Sequence, residues 1–581
     1  MRQIKPENLW NFGGRLACLI LLAIGALPAL AQIDLSGEWA PRFHEDEPER
    51  IPGPAIGDYL GLPINAAARM RADTWDASLL TLPEHQCKPH PADYGPRGPA
   101  NLRFWKEVDR ATQQIIAWHT HISWQAPERT IYMDDRPRPG PLAAHTWQGF
   151  SLGKWDGNVL TVVTTHLKTG WIRRNGVPRS DQATLVEHWI RHKDGLTLVS
   201  IVHDPVYLTE PFVRTTDWEL DLSQQIEPYP CEPVIEVVRE RGEVPHHLPG
   251  TNPFLNEFPE NSGAGEAARG GAATMYPGGV DTNPYPFVKS PVPAPFSNGE
   301  TEITQPVQGK LTLIATKAGN IAVQTGPQGT LLVDTGDGSA TKDVIAAIRS
   351  ITDAPIRTII NTSAAPEHTG GNRELSELGG TITGGNFARA SANWAATVVA
   401  HENVVNQMSE EEVDDAAWPG DTYFTNGKDL FFNGEAVQVI HIPEAHTDGD
   451  SIVFFRRSDV IATGDVFNSD RYPLVDVARG GTINGELEAL NTLLDLAIPE
   501  DKQEGGTMLI GGSGRVSDEA DLVEYRDMAT IIRDRVRALK DKGMTLEQVQ
   551  AERLTFDYDP IYDISGKQGA EFVASIYQTL P

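Results

Sequence analysis

A long interval without core-forming residues divides this 581-residue chain. Residues 241–305 are rich in Gly, Pro and Ala, and their apolar residues do not recur with the spacing that would give a helix or strand a buried face. One hydrophobic core of ordinary size does not extend over a chain of this length, so two or more domains are expected. We therefore predict domains at residues 34–240 and 306–581, connected by a linker or by an extended segment that wraps around the protein.

Residues 34–240 have the pattern of short β-strands. The stretches GKWDGNVLTVVTTH and IRHKDGLTLVSIV each place two extended runs around an Asp-Gly pair, which is a hairpin signal. Repeated hairpins of this kind predict an antiparallel barrel or sandwich. His119 and His121 lie on one strand face at positions i and i+2, which predicts either an accessory metal site or the polar lining of a barrel cavity.

Residues 306–581 alternate strands with helices. KLTLIAT, NIAVQTG and GTLLVDTG are three successive short strands, and the helix that follows carries Val344 and Ile348 on its apolar face. A long helix begins after Ser517 and ends near Gly543, with the N-terminal and C-terminal residues that helices favour. Strands followed by mixed helices and strands predict a layered α/β domain.

The first residues have the features of an export signal. Three basic residues precede an apolar run at residues 16–27, and a small-residue site, Ala-Leu-Ala, ends at Ala31. The apolar run is too short to span a bilayer, so we predict a signal peptide at residues 1–31 that is removed. The mature chain is then expected to be periplasmic or secreted, without a membrane span.

Two cysteines, Cys87 and Cys231, remain in the mature sequence. In an oxidising compartment they predict a disulfide, and the alternative is two separate buried thiols. The formal net charge of −30 argues against a nucleic acid or an anionic membrane surface as partner, because like charges would repel. A small-molecule substrate or ligand is the partner that we expect.

Five blocks in the C-terminal region resemble the metallo-β-lactamase-fold hydrolases. In the order of that superfamily they are LLVDTGDG, NTSAAPEHTGGN, EAHTDGDSIVFF, IATGDVF and LIGGSGRVSDEADLVEYRDM. The resemblance implies an αββα sandwich whose functional site lies at one edge of the sheets. It also implies hydrolysis by water that one or two zinc ions activate.

The resemblance also assigns positions in the metal-binding loop, which in the superfamily has the form His-x-His-x-Asp-His. Ser363 and Ala365 stand at the first two histidines, Glu367 at the aspartate and His368 at the third histidine. Two of these four positions therefore carry side chains that bind zinc poorly or not at all.

Later blocks match the remaining ligands in part. His446 stands at the next histidine, Asp465 at the aspartate that bridges two metals, and Ser513 at the last histidine. The implied metal ligands are thus Glu367, His368, His446 and Asp465. A site with so few donors is expected to hold at most one zinc per chain, or none.

Three functions remain open at this stage. The first is an exported one-metal hydrolase of an ester, amide, lactone or thioester bond, in which His446 and Asp465 are also the catalytic residues. The expected substrate contacts are Tyr472, Asp476, Ser363 and Ser513. The second is a metal-free protein that binds a small molecule or a partner. The third assigns ligand capture to the β-rich domain and leaves the C-terminal domain as a scaffold.

Overall fold

The computed structural model describes residues 33–42, 53–97, 100–123, 125, 128–271, 274, 303–380, 395–410, 417–563 and 565–581. The predicted signal peptide at residues 1–31 lies outside the described residues, and so do residues 275–302 of the predicted linker.

The N-terminal domain is a closed β-barrel, which decides between the two predicted β architectures. Around the barrel the strand order is β1-β11-β10-β9-β6-β5-β4-β3-β2, and β1 pairs with β2 to close it. Neighbouring strands are antiparallel except for β4 and β5, and β7 and β8 form a separate hairpin. The strands are β1 Gly37–Arg42, β2 Leu102–Val108, β3 Ile115–Ile122, β4 Arg129–Tyr132, β5 Phe150–Asp156, β6 Val159–Thr165, β7 Gly170–Arg173, β8 Val177–Arg179, β9 Thr184–His192, β10 Gly195–His203 and β11 Phe212–Leu220.

Both predicted hairpins are present. Asp156 pairs with Val159 at the end of β5–β6, and His192 pairs with Gly195 at the end of β9–β10. Side chains in β9 and β10 alternate between buried and less buried positions, because successive residues of a strand point to opposite faces. The inward positions form an aromatic core that includes Trp39, Phe104, Trp118, Trp189 and Trp218.

The C-terminal domain consists of two packed sheets with helices on both outer faces, as the resemblance implies. One sheet has the order β12-β13-β14-β15-β16-β17-β18 and the other β19-β20-β21-β22-β23-β24. Their strands are β12 Thr304–Pro306, β13 Leu311–Ala315, β14 Asn320–Gly326, β15 Gly329–Val333, β16 Ile356–Ile360, β17 Thr397–His401, β18 Asp421–Tyr423, β19 Gly427–Phe432, β20 Glu435–His441, β21 Ser451–Phe455, β22 Val460–Gly464, β23 Met508–Gly511 and β24 Ser517–Asp518.

The helices of the described chain are mostly in this domain. They are α1 Ala66–Thr74, α2 Glu257–Ser262, α3 Thr341–Ile351, α4 Pro366–Thr369, α5 Asn372–Glu377, α6 Glu402–Met408, α7 Ile483–Leu496, α8 Glu519–Lys540, α9 Leu546–Ala551, α10 Asp559–Tyr562 and α11 Gln568–Thr579. Short 3₁₀ helices lie at Ala77–Thr81, Pro83–His85, Gly95–Arg97, Gly265–Arg269 and Val477–Arg479.

Three apolar layers hold the C-terminal domain together. Between the sheets, Val333, Ile360 and Val453 belong to one buried cluster. Helices α3 and α5 cover the first sheet, whereas α7, α8 and α11 cover the second. The αββα prediction is therefore confirmed.

Residues 241–271 contact the N-terminal domain, in the manner of a wrapping segment. The side-chain amide of Asn252 donates to the backbone oxygen of Asp73 at 3.0 Å, and the Arg269 guanidinium lies 2.9 Å from the Asp73 carboxylate. The backbone N–H of Gly271 donates to the oxygen of Leu62 at 2.7 Å. This part of the predicted linker is thus tied to the segment around α1.

Ion pairs connect the two domains along α8. Asp527 lies 2.7 Å from His85, Glu524 lies 3.4 Å from Arg71, and Glu519 pairs with Lys88. Most of these side chains are largely buried. Because buried charges require partners, the two domains are expected to hold one fixed arrangement.

Cys87 and Cys231 form a disulfide, as predicted, with Cα atoms 5.5 Å apart. It fastens the segment that follows β11 to the segment that precedes β2. No helix in the described part of the chain has the length and apolar character needed to cross a bilayer.

Candidate functional site

The candidate site lies where four strands of the C-terminal domain end. Asp334 directly follows β15, Thr362 lies just after β16, Asp465 follows β22, and Ser513 lies in the turn after β23. Buried apolar strands place these polar side chains at one edge of the two sheets. This is the edge at which the resemblance placed the functional site.

The imidazole of His368 is the centre of the site. Its Nδ1 lies 2.7 Å from Asp334 Oδ2, and its Nε2 lies 2.8 Å from Asp465 Oδ2. Both neighbouring atoms are carboxylate oxygens, so a protonated imidazole donates from both of its ring nitrogens at this position. The side chain of His368 is only 2% exposed.

The electrostatics agree with this arrangement. Burial alone would lower the pKa of His368, but Asp334 and Asp465 together raise it well above its ordinary value. Burial would raise the pKa of Asp465, but the nearby His368 charge and its hydrogen bond push that pKa well below its usual range. In the absence of a metal, these shifts favour a buried carboxylate–imidazolium–carboxylate group.

Asp334 is held in place from the other side. Its carboxylate accepts from the backbone N–H of Thr362 at 2.8 Å and from the Thr362 hydroxyl at 2.7 Å. Gly464, with φ of +53°, lies against the same threonine, and a Cβ at that position would stand 2.5 Å from Thr362 Oγ1. The loops after β16 and β22 thus fit together closely.

His446 approaches the group without joining it by a hydrogen bond. Its Nε2 lies 3.6 Å from Asp465 Oδ2, and its Nδ1 donates to the backbone oxygen of Leu474 at 2.8 Å. The structure therefore brings together three of the predicted site residues, namely His368, His446 and Asp465.

The other predicted loop residues have different positions. Glu367 is exposed, although its neighbour His368 is buried, and it is not part of the hydrogen-bonded group. Ser363 is buried, and its hydroxyl accepts from the backbone N–H of Ala365 at 3.3 Å. Ser513 is also buried, with its hydroxyl 2.9 Å from Asn468 Oδ1. The two serines therefore brace loops of the site.

Two predicted substrate contacts, Tyr472 and Asp476, have structural partners. Tyr472 is 1% exposed, and its hydroxyl donates to Asp559 Oδ1 at 3.0 Å within the core around α11. The structure does not place Tyr472 at a substrate contact, because no surface of its ring is accessible. Asp476 caps the 3₁₀ helix Val477–Arg479 by accepting from two backbone N–H groups of that helix.

Sequence reasoning missed the part that Asp334 plays, and it also missed Glu486. Glu486 lies in α7, is fully buried, and has no hydrogen-bond partner for either carboxyl oxygen in the described structure. Burial, with Asp450 and Asp465 nearby, raises the pKa of Glu486 well above its ordinary value, which favours its neutral form. The position of Asp334 at the end of a buried strand was the one signal available in the sequence, whereas nothing in α7 marked Glu486.

The donor set does not fit the two-metal site of the superfamily. Within the described ranges, no three His, Cys, Asp or Glu side chains are grouped so that they could hold one metal. Asp334 holds Nδ1 of His368, so Nε2, 2.8 Å from Asp465 Oδ2, is the ring nitrogen that a metal would have to bind. At the other superfamily positions, Glu367 is exposed and Ser363, Ala365 and Ser513 are not imidazoles.

Comparison with known proteins agrees with the resemblance. Residues 316–533 match the family model of the metallo-beta-lactamase superfamily, so the assignment of the C-terminal domain to that superfamily is confirmed. The match covers less than half of the chain. No curated protein matches the sequence.

Solved structures to which the chain is similar include an alkylsulfatase and two metallo-β-lactamases. The stereoselective inverting sec-alkylsulfatase Pisa1 from Pseudomonas sp. is 16% identical, with a TM-score of 0.37. The similarity covers 47% of this chain and 49% of the alkylsulfatase, so this chain spans about half the length of that protein. The DIM-1 metallo-β-lactamase is 16% identical with a TM-score of 0.31, covering 39% and 95% of the two chains. A metallo-β-lactamase from Pontibacter korlensis is 14% identical with a TM-score of 0.30, covering 39% and 97%. No activity of this chain follows from these likenesses.

Proposed function

We propose that the C-terminal domain is a metal-free member of this hydrolase fold, and that the protein binds a small molecule or a partner. The observation that carries the proposal is the position of His368, whose ring nitrogens lie 2.7 and 2.8 Å from the carboxylates of Asp334 and Asp465. In this arrangement the imidazolium neutralises the buried Asp465 carboxylate, which would otherwise need a cation.

The replacement of metal ligands supports the same conclusion. Ser363, Ala365 and Ser513 stand at three positions where the superfamily has histidines. Mutation of a residue that only hydrogen-bonds to a metal ligand typically lowers metal affinity by about 10–100-fold. The replacement of direct ligands at Ser363, Ala365 and Ser513 should therefore lower the affinity further. Tight binding of two metals is therefore not expected.

A second candidate is a one-metal hydrolase of an ester, amide, lactone or thioester bond. One observation favours it, since Nε2 of His446 and Nε2 of His368 both face Asp465 Oδ2, at 3.6 and 2.8 Å. The second nitrogen of each ring is bonded to an acceptor, as in histidines that bind metals. A zinc ion, when bound, would supply activated water at such a site.

We also propose that the chain functions outside the cytoplasm. The disulfide between Cys87 and Cys231 supports this proposal, because disulfides persist in oxidising compartments. The strongly acidic net charge supports a small molecule rather than a nucleic acid as the ligand.

Zinc competition against a chromophoric chelator separates the two candidates. The metal-free protein should remove no zinc from the chelator, either as wild type or as His368→Ala. The one-metal hydrolase should take up about one zinc per chain, and His368→Ala should lose it, whereas His441→Ala, in the same domain but outside the group, should keep it. Uptake in the wild type that His368→Ala abolishes would refute the first proposal.

Hydrolysis assays add a readout that does not depend on affinity. Ester, lactone and thioester substrates should show no rate that increases with added zinc. In the metal-free protein, His368→Ala should lower the free energy of unfolding of the domain by about 3–5 kcal/mol, because Asp334 and Asp465 lose their common counter-charge. A zinc-dependent rate with wild-type protein would favour the hydrolase.

A further inference from the structure

A large cavity lies away from the candidate site, between the barrel and the C-terminal domain. Its volume is about 570 Å³, within the range of about 300–1,000 Å³ that is usual for small-molecule sites. One wall comes from strands β3, β4 and β5 of the barrel, and includes His121. His121 alternates with the buried Thr120 and Ile122, so it lines this outer cavity and not the interior of the barrel, where the polar alternative had placed it.

Two other segments complete the cavity. Residues 227–231 form a second wall, which the disulfide ties to Cys87. Glu500 and Asp501 come from the loop between α7 and β23 of the other domain. The ammonium group of Lys502 donates to the backbone oxygen of Cys231 at 3.3 Å and so connects these two segments. Ligand sites occur preferentially at such junctions between domains.

Aromatic rings supply the apolar part of the lining. They belong to Tyr132, Trp147, Phe150 and Tyr229. The rings of Tyr132 and Phe150 lie 5.5 Å apart and tilted, and the Arg136 guanidinium lies 3.6 Å above the Tyr132 ring. This wall already binds one cation through a ring face, as the negative face of an aromatic ring does.

The charged part of the lining is entirely acidic. It consists of Glu128, Glu227, Glu500 and Asp501, all of them exposed residues, and no Lys or Arg lines the cavity in the described structure. His121 adds no positive charge, because burial lowers its pKa below the ordinary value, against the opposing effect of Glu128.

The nearby bases already have partners. Arg136 lies 2.6 Å from Asp134, and Lys502 lies 3.9 Å from Asp501. No ion pair is found for Glu128, Glu227 or Glu500 with any residue that the structure describes. These three carboxylates therefore have no ion-pair partner, although burial raises the pKa of Glu500 and the more distant Lys168 charge opposes that rise.

We propose that this cavity binds an organic ammonium ion that carries an aromatic or apolar body. The carboxylates attract the charge, and the aromatic side chains of Trp147, Phe150 and Tyr229 in the lining provide contacts for the cation and its body. A bare metal ion fits less well, because these acids are not grouped so that three of them could hold one metal, among the residues described. The proposal is independent of whether the C-terminal site holds a metal.

Isothermal titration of the full mature chain with benzyltrimethylammonium tests the proposal. We expect saturable binding of one probe per chain, weaker at high salt, with quenching of tryptophan fluorescence. Benzyl alcohol and benzoate, which share the ring without the positive charge, should bind at least about 10-fold more weakly.

Two double variants make the test specific. Glu227→Gln with Glu500→Gln removes two cavity carboxylates and should weaken binding at least about 10-fold. Glu232→Gln with Glu504→Gln changes two exposed carboxylates of the same segments that do not line the cavity, and binding should be unchanged.

Three results would overturn the proposal. The first is no saturable binding of the probe up to about 10 mM, which corresponds to less than about 3 kcal/mol of binding. The second is equal binding of the cationic, neutral and anionic probes. The third is an equal loss in the two double variants, because a contribution from general surface charge would not distinguish lining from non-lining carboxylates.

Discussion

Replacing Asp527 by Asn tests the buried ion pairs between the domains. Asp527 lies in α8, is 5% exposed, and accepts from His85 Nε2 at 2.7 Å and from Arg526 Nε at 2.8 Å. Burial alone would raise its pKa, but Arg526 and His85 lower the pKa from the usual 3.8 to about 2. With about 1.36 kcal/mol per pKa unit, the carboxylate contributes about 2–3 kcal/mol to stability.

The sign of the pH dependence follows from the two partners. Because the folded-state pKa of Asp527 is lowered, its contribution is present above pH 3.8 and is lost as the pH falls toward about 2. Burial would lower the pKa of His85, but Asp527 raises it above the usual 6.5, so the contribution of His85 is present below pH 6.5 and is lost at higher pH. The difference between wild type and Asp527→Asn should therefore be largest between these two values.

Urea unfolding followed by circular dichroism at about pH 3, 5.5 and 8 measures this difference. The matched control is Asp534→Asn, which changes a more exposed carboxylate of the same helix, paired with Arg533 at 2.8 Å. An exposed pair contributes about 1 kcal/mol or less, so the control should change the unfolding midpoint little. Equal effects of the two variants, or a difference that does not vary with pH, would refute the reasoning.

Three further predictions concern the whole chain. Cys87→Ser with Cys231→Ser should lower the free energy of unfolding by about 3–5 kcal/mol, because the disulfide closes a loop with a separation of 144 residues in the unfolded chain. A change below about 1 kcal/mol in a denaturant titration would contradict this. N-terminal sequencing of the mature protein should begin at Gln32, and an intact Met1 would contradict export by cleavage after Ala31. Limited proteolysis between the domains should leave two fragments that elute together in size-exclusion chromatography. Ion pairs connect the two domains, for example Lys168 with Asp518 at 2.7 Å. Fragments that separate at physiological salt would exclude a fixed arrangement of the domains.

The fold was predictable where short-range patterns determine it. The alternation in β9 and β10 and the turn at their end reflect local chain geometry, so the hairpin was visible in the sequence. The closure of the barrel was not, because β1 pairs with β2 and β11, which lie far apart along the chain. Long-range pairing of this kind leaves no periodic signal.

The candidate site was predictable in part for the same reason. Motif order located His368, His446 and Asp465, and the structure brings these three together. The exposure of Glu367 depends on how the short helix α4 turns, which one side chain in a motif does not determine. The burial of Tyr472 depends on α11, a helix about 100 residues further along the chain, whose packing no local pattern specifies.

Elemental analysis of the protein, isolated from its native compartment and dialysed without chelator, tests the central claim most directly. Because the His368 ring lies within hydrogen-bond distance of both Asp334 and Asp465, we expect zinc and other transition metals well below one ion per chain. About one or more tightly held metal ions per chain, lost in His368→Ala, would contradict it.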